Sequence, residues 1–392
     1  MKTNVPPMGW NSWNTFGGDI SDRLIVETAR AMKEKGYLEK GYEYIVIDDT
    51  WSLRQRDADG RLVPDPEKFP RGMKALADDL HALGFKFGMY SCAGVMTCAG
   101  YPSSYDHEFT DARTFADWGV DYLKYDFCNF PANANGMNRY ATMSMALKAT
   151  GRDILFAACN WGTDEPWKWM KSIGAHMYRS TGDIQDNFAS FTGIVKSQLD
   201  HFCMSGPHCF NDMDMLTVGM FGKGNVAVGE ACTLEEYRTQ FALWCMMGAP
   251  LMLGGDVRAM DAGCEALLLN PDLLRINQDA ECRPPQIVYR GRIVHIGFDP
   301  DSGWWHEYPD CGLTLFRHLS DREFAIGYFN FAPKSGEVPF IFADAGLPYG
   351  SGVALRLKDA MTGEDLGPHR DYYHLTVEGH GCRVLLARME EA

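Results

Sequence analysis

From residue 8 onward, short unbroken apolar runs alternate with longer stretches whose apolar positions recur every three or four residues. The first kind predicts buried strands, the second helices with one inward face. Tyr44-Ile45-Val46-Ile47 is such a run, and it stops abruptly at Asp48-Asp49-Thr50-Trp51. Before it, Ser21-Asp22 caps a helix in which Leu24, Ile25, Thr28, Ala29 and Met32 share a face up to Gly36. A helix near 73–83 leads to the strand Phe85-Lys86-Phe87-Gly88-Met89-Tyr90, and one over 111–118 leads to Val120-Asp121-Tyr122-Leu123-Lys124-Tyr125-Asp126. Further helices near 138–149, 190–203 and 234–246 alternate with runs at 154–158, 176–179, 209–210 and 249–253. Strands therefore end near 10, 47, 89, 124, 157, 178, 210 and 252. Eight β-then-α units predict a closed parallel (β/α)8 barrel, the TIM type, over residues 1–283.

After Asn277-Gln278-Asp279 the pattern changes. Residues 286–392 alternate at period two between Gly and Pro clusters, with hardly a helical stretch. Candidate strands are 286–290, 292–298, 313–318, 323–331, 337–342, 353–357, 372–377 and 382–387. They predict a C-terminal antiparallel β-sandwich domain over 284–392, with Arg283-Pro284-Pro285 at the boundary.

Composition adds exclusions. Hydrophobic residues are 46% and charged ones 23%, which provides a sizeable core and excludes global disorder. The net charge of −15 argues against nucleic acid or an anionic membrane surface as a partner. No stretch approaches the ~20 apolar residues that span a bilayer. The 12 cysteines are scattered without a Cys-x-x-Cys pair, against a zinc or redox motif. With no secretory signal in residues 1–7, they read as buried thiols of a cytoplasmic protein, or of a secreted one whose leader was trimmed. A homo-oligomer is allowed by the sequence and not specified by it.

In such a barrel the chemistry sits at the C-terminal ends of the strands. Those ends carry Trp13, Asp48 and Asp49, Tyr90, Lys124 and Asp126, Asn160 and Trp161, Arg179 and Asp183, and Asp212 and Asp214. Each has a bland reading alone: Asp48 or Asp49 as a cap, Asp212 as a turn residue, Trp13 as a core aromatic. Together they bring six carboxylates, two cations and several aromatics to one bowl. Such a bowl could chelate a hard cation or recognise a sugar, with forked Asp and Arg on its hydroxyls and an aromatic on its apolar face. Cations among the carboxylates favour the sugar. Only His176 of the eleven histidines stands at a strand end, which argues against zinc.

Met8-Gly9-Trp10-Asn11-Ser12-Trp13, Ile47-Asp48-Asp49-Thr50-Trp51, Leu123-Lys124-Tyr125-Asp126-Phe127-Cys128-Asn129, Cys159-Asn160-Trp161-Gly162, Arg179-Ser180-Thr181-Gly182-Asp183, Asn211-Asp212-Met213-Asp214-Met215-Leu216 and Ile276-Asn277-Gln278-Asp279 occur in that order. Over residues 6–285 the chain resembles the α-galactosidases of glycoside hydrolase family 27. The resemblance implies retaining hydrolysis of small α-galactosides without metal or cofactor, with Asp126 as nucleophile and Asp183 as general acid/base. It implies that Asp48 and Asp49 grip the 4- and 6-hydroxyls, Lys124 the 3- and 4-hydroxyls, and Arg179 the 2- and 3-hydroxyls. Trp13 and Tyr90 would pack on the sugar, and Asp214 and Trp161 would line the wall. Asn160 and Trp161 would leave no room for a 2-acetamido group. Cys98 and Cys128 match positions that pair in secreted members, or would stand unpaired in the pocket wall of a cytosolic one. Lys124 should keep Asp126 ionised, and neighbouring carboxylates should raise the pKa of Asp183. Within the family, α-N-acetylgalactosaminidase and β-L-arabinopyranosidase are the competing activities. A non-catalytic galactose-binding barrel is the alternative of another class.

Overall fold

The N-terminal strands are β1 (Met8–Asn11), β2 (Tyr44–Val46), β3 (Lys86–Cys92), β4 (Tyr122–Asp126), β5 (Leu155–Cys159), β6 (Met177–Arg179), β7 (Phe210–Asp212) and β8 (Leu251–Leu253). The structure, a computed structural model, describes residues 3–299 and 303–391. All pairings in this sheet are parallel, in the order β8-β1-β2-β3-β4-β5-β6-β7. The ring closes just past β7. There Leu216 donates its N–H to the Met252 carbonyl (2.8 Å) and accepts from the Gly254 N–H (2.9 Å). Strands covered on both faces read as continuous apolar runs, which is why their ends are legible in sequence.

The helices start and stop on local signals. Ser21 Oγ accepts from the Leu24 N–H at the start of the helix Asp22–Glu34, whose buried face is Ile25, Thr28, Ala29 and Met32. Thr233 and Glu236 form a reciprocal capping box on the helix Leu234–Met247. Gly119, at φ 85°, ends the helix Glu108–Trp118 and turns the chain directly into β4.

The C-terminal strands are β9 (Gln286–Asp299), β10 (Gly303–His318), β11 (Glu323–Asn330), β12 (Gly336–Ile341), β13 (Val353–Asp359), β14 (Asp365–His369), β15 (Tyr372–Val377) and β16 (Cys382–Glu391). They form one antiparallel sheet in the order β14-β13-β16-β11-β10-β9-β12-β15. The sheet folds over on itself: Val338 and Phe340 near one edge share a core with Leu355 and Leu357 near the other. Two sequence expectations need correction. Residues 286–290 and 292–298 belong to one long strand, and β14 and the first half of β10 are strands where the sequence predicts none. β14 is an edge strand holding Gly367 and Pro368, and the near half of β10 is largely exposed, so neither carries an apolar alternation.

The central strands are buried on both faces. Phe324, Ile326 and Tyr328 point into the domain, while Ala325 and Phe329 join the barrel's core. Arg317 fastens the two units. Its buried guanidinium donates to the Cys245 carbonyl (2.8 Å) and the Met246 carbonyl (3.3 Å), in the last turn of the helix Leu234–Met247. Arg317→Ala removes both bonds, leaving the Cys245 carbonyl with only the Gly248 N–H (3.2 Å) and taking the guanidinium donor from the Met246 carbonyl. It is expected to cost about 2–3 kcal/mol of stability, read as an earlier midpoint in urea denaturation.

Candidate active site

The strand ends converge on a pocket of about 540 Å³, counted out to its open mouth. Trp13, Asp48, Asp49, Tyr90, Cys98, Lys124, Asp126, Trp161, Arg179, Asp183 and Asp214 all line it, so Asp126 and Asp183 open onto one cavity. Four non-glycine residues just past the strands take left-handed backbone: Thr50 (φ 70°), Asn129 (φ 50°), Trp161 (φ 57°) and Asp214 (φ 85°). Such conformations cost of order 1–3 kcal/mol each and are tolerated where the surroundings hold them. β2 ends at Val46, and the bend through Thr50 lets both Asp48 and Asp49 reach the pocket from one strand.

One side of the pocket is built on Asp48. Its Oδ2 accepts from Asn11 Nδ2 (2.8 Å) and Lys124 Nζ (2.7 Å). Burial works against the Lys124 charge, but Asp48 raises its pKa well above the ordinary value. The same ammonium lies 5.3 Å from the centre of the Tyr90 ring. Asp49 accepts from the N–H groups of Thr50 (2.6 Å) and Ala99 (2.9 Å), and burial still moves its pKa up.

Asp126, at the end of β4, accepts the Phe127 N–H at Oδ1 (2.9 Å) and the Tyr90 hydroxyl at Oδ2 (2.9 Å). Its pKa is raised, against the expectation that Lys124 would hold it down. Burial outweighs Lys124, the Phe127 N–H and Arg179 together. The ammonium is already committed to Asp48 at 2.7 Å. Cys98 Sγ lies 3.5 Å from Asp126 Oδ2, and a disulfide joins Cys98 to Cys128 across a Cα–Cα distance of 5.0 Å. Gly94 permits this approach, because a Cβ there would overlap the Cys128 carbonyl. Among the described residues, Cys98, Asp126 and Cys128 are the one set of His, Cys, Asp or Glu atoms close enough for a metal, and two of them are tied up as the disulfide.

Across the pocket, Arg179 Nη2 donates to Asp183 Oδ1 (2.5 Å) and pairs with Asp214 Oδ2 (2.9 Å). The Asp183 side chain is 83% exposed, at the mouth, where a leaving group and water both have access. Its pKa also differs from expectation. Burial would raise it, but the Arg179 charge and hydrogen bond, with Lys124 beyond, bring it below the ordinary value.

A family model described as alpha galactosidase A matches residues 5–279. An Arabidopsis thaliana alpha-galactosidase 3 is 46% identical over 387 residues, covering 97% of this chain and 81% of that one. The crystal structure of alpha-galactosidase I from Mortierella vinacea superposes with a TM-score of 0.89 at 30% identity, covering 98% of this chain and 97% of the other. A Saccharomyces cerevisiae α-galactosidase solved with raffinose superposes at 0.85 and 27% identity, covering 99% and 98%. The chain belongs to the α-galactosidase family, glycoside hydrolase family 27. It is a glycoside hydrolase with the barrel and C-terminal antiparallel domain of that family.

In this family 27 chain three residues named from sequence, Asn160, Trp51 and Asp212, lie outside the cavity wall. Asn160 is buried, its amide donating to the Thr163 carbonyl (2.5 Å), so it shapes the turn that presents Trp161. Trp51 packs edge-on against Trp118 and donates its indole N–H to the Tyr90 carbonyl (2.9 Å). Conversely Asn14, Ile184, Met215 and Val226 line the pocket without having been expected there. Ile184 and Met215 adjoin Asp183 and Asp214, a signal that adjacency alone could have supplied. Val226 comes from a loop between β7 and the helix Leu234–Met247 that carries no periodic pattern.

Proposed function

We propose that the protein is a retaining exo-α-galactosidase that removes terminal α-D-galactosyl units from small α-galactosides by double displacement. The observation that carries this reading is that two chemically distinct carboxyls face one sugar-sized pocket. Asp126 lies at its buried end, cradled by Tyr90 and the Phe127 N–H, and Asp183 lies at its exposed mouth on Arg179. Asp126 attacks the anomeric carbon while Asp183 gives its proton to the departing oxygen. Asp183 then deprotonates the water that cleaves the galactosyl-enzyme, and the two inversions give net retention. Asp48, Asp49, Lys124, Arg179 and Asp214 supply charged partners for the hydroxyls, and Trp13 an apolar face. A blind pocket admits a chain end and not its middle.

Trp161 in the pocket wall favours plain galactose over N-acetylgalactosamine, because an indole occupies space an acetamide would need. The p-nitrophenyl derivatives of α-galactose, α-N-acetylgalactosamine and β-L-arabinopyranose separate the family's activities. The α-galactoside should be turned over with at least about tenfold higher kcat/KM, the difference that 1.4 kcal/mol at the 2- or 6-position makes. Preference for either other sugar would reject the proposal. A galactose-configured covalent inhibitor should label the peptide spanning 120–129, and label elsewhere would overturn the role of Asp126.

A further inference from the structure

Beneath the sugar pocket lies a second, smaller cavity inside the barrel, lined by Asn11, Tyr122, Cys159, Asp212 and Met252 among others. Lys124, Arg179, Asp214 and Met215 border both cavities, whereas Asp212 borders the lower one alone. Asp212 therefore does not reach the galactose pocket. Its Oδ1 accepts the Asp214 N–H (2.9 Å), the residue held at φ 85°. Asp214 in turn spends Oδ2 twice, on Arg179 (2.9 Å) and on the N–H of Ile184 (2.9 Å), the neighbour of Asp183. Arg179 holds Asp183 itself at 2.5 Å. The Asp212 carbonyl also accepts the Ser180 N–H (3.3 Å), next to Arg179.

Two routes thus run from Asp212 to the acid/base, one through the Asp214–Arg179 pair and one through the backbone at Ile184. We propose that Asp212 is a positioning residue for the acid/base. By fixing the left-handed backbone of Asp214, it holds the Arg179–Asp183 pair and the Ile184 backbone so that Asp183 faces the leaving-group oxygen. The inference rests on the retaining-galactosidase reading, and it assigns a role to a carboxyl that reading leaves idle. What matters is the hydrogen bond accepted at Oδ1, which an amide oxygen also provides.

The test compares Asp212→Ala with Asp212→Asn on a substrate that needs an acid, melibiose, and one that does not, 2,4-dinitrophenyl α-galactoside. In Asp212→Ala, kcat/KM on melibiose should fall about 10- to 100-fold, as expected for a catalytic group displaced by a fraction of an ångström. On the activated aryl galactoside it should stay within about threefold, because acid assistance contributes little to a good leaving group. Asp212→Asn should restore melibiose turnover to within about threefold of wild type. If the alanine protein does not fold, Asp212→Leu, close to aspartate in size and without any acceptor, carries the same comparison. Equal losses on both substrates, no loss on either, or an asparagine variant as damaged as the alanine one would each overturn the proposal. Wild-type protein inactive on both substrates would instead reject the galactosidase reading.

Discussion

Asp126→Ala is expected to lower kcat/KM on every α-galactoside by on the order of 10⁴- to 10⁶-fold, the range for removal of a covalent nucleophile. The variant should fold, because the Tyr90 hydroxyl it leaves behind belongs to a residue lining an open pocket. The decisive readout is chemical rescue. Azide can occupy the space the carboxylate vacates and attack the anomeric carbon from the same face. An activated α-galactoside should then give β-galactosyl azide, with inversion. Full turnover without azide, or an α-configured azide product, would remove Asp126 from the role of nucleophile.

Asp183→Ala is expected to cost about 10²- to 10⁴-fold in kcat/KM on melibiose and little on 2,4-dinitrophenyl α-galactoside, since only the first leaving group needs a proton. Azide attack on the intact galactosyl-Asp126 should return α-galactosyl azide, opposite in configuration to the product of the first variant. The pH profile adds a sharper test. In the proposed mechanism turnover requires Asp126 ionised and Asp183 protonated. Burial raises Asp126, whereas Arg179 holds Asp183 below the ordinary carboxyl value. In the free enzyme the group that must be anionic therefore has the higher pKa. With that order, kcat/KM rises with pH until Asp183 ionises, stays level, and falls once pH passes the Asp126 value. Removing Asp183 leaves a single limb that rises through the Asp126 pKa and then plateaus. The inflection of the variant on the activated substrate should coincide with the alkaline limb of the wild type on melibiose. Coincidence with the acidic limb would mean the opposite order of ionisation.

Much of this site was legible in the linear chain because each component is a local event. Ile47-Asp48-Asp49 and Tyr125-Asp126-Phe127 mark places where a buried run meets charge, and a parallel barrel collects all such places at one end. Helix boundaries were legible for the same reason: Ser21, Thr233 and Gly119 act on groups within four residues of themselves. What escaped was set by partners far away in sequence. The near half of β10 is a strand because β9 pairs with it, and its own pattern has no buried face. Asn160 looks like a pocket residue beside Trp161, yet it is buried outside the cavity wall with its NH2 group on the Thr163 carbonyl.

By itself, then, the order of residues determined the eight-strand barrel, the change of architecture after residue 280, and most of the carboxyls, cations and aromatics that share a bowl, Asp212 excepted. Only the tertiary structure decided how those charges divide their partners. Lys124 is spent on Asp48, 76 residues away, which leaves burial in command of Asp126. Arg179 takes Asp183 from its own loop and Asp214 from the next, reversing the expected direction at Asp183. The physical reason is that an ionisation equilibrium sums lost water and every nearby charge. Both are properties of a packed site, and a strand end read in isolation has neither.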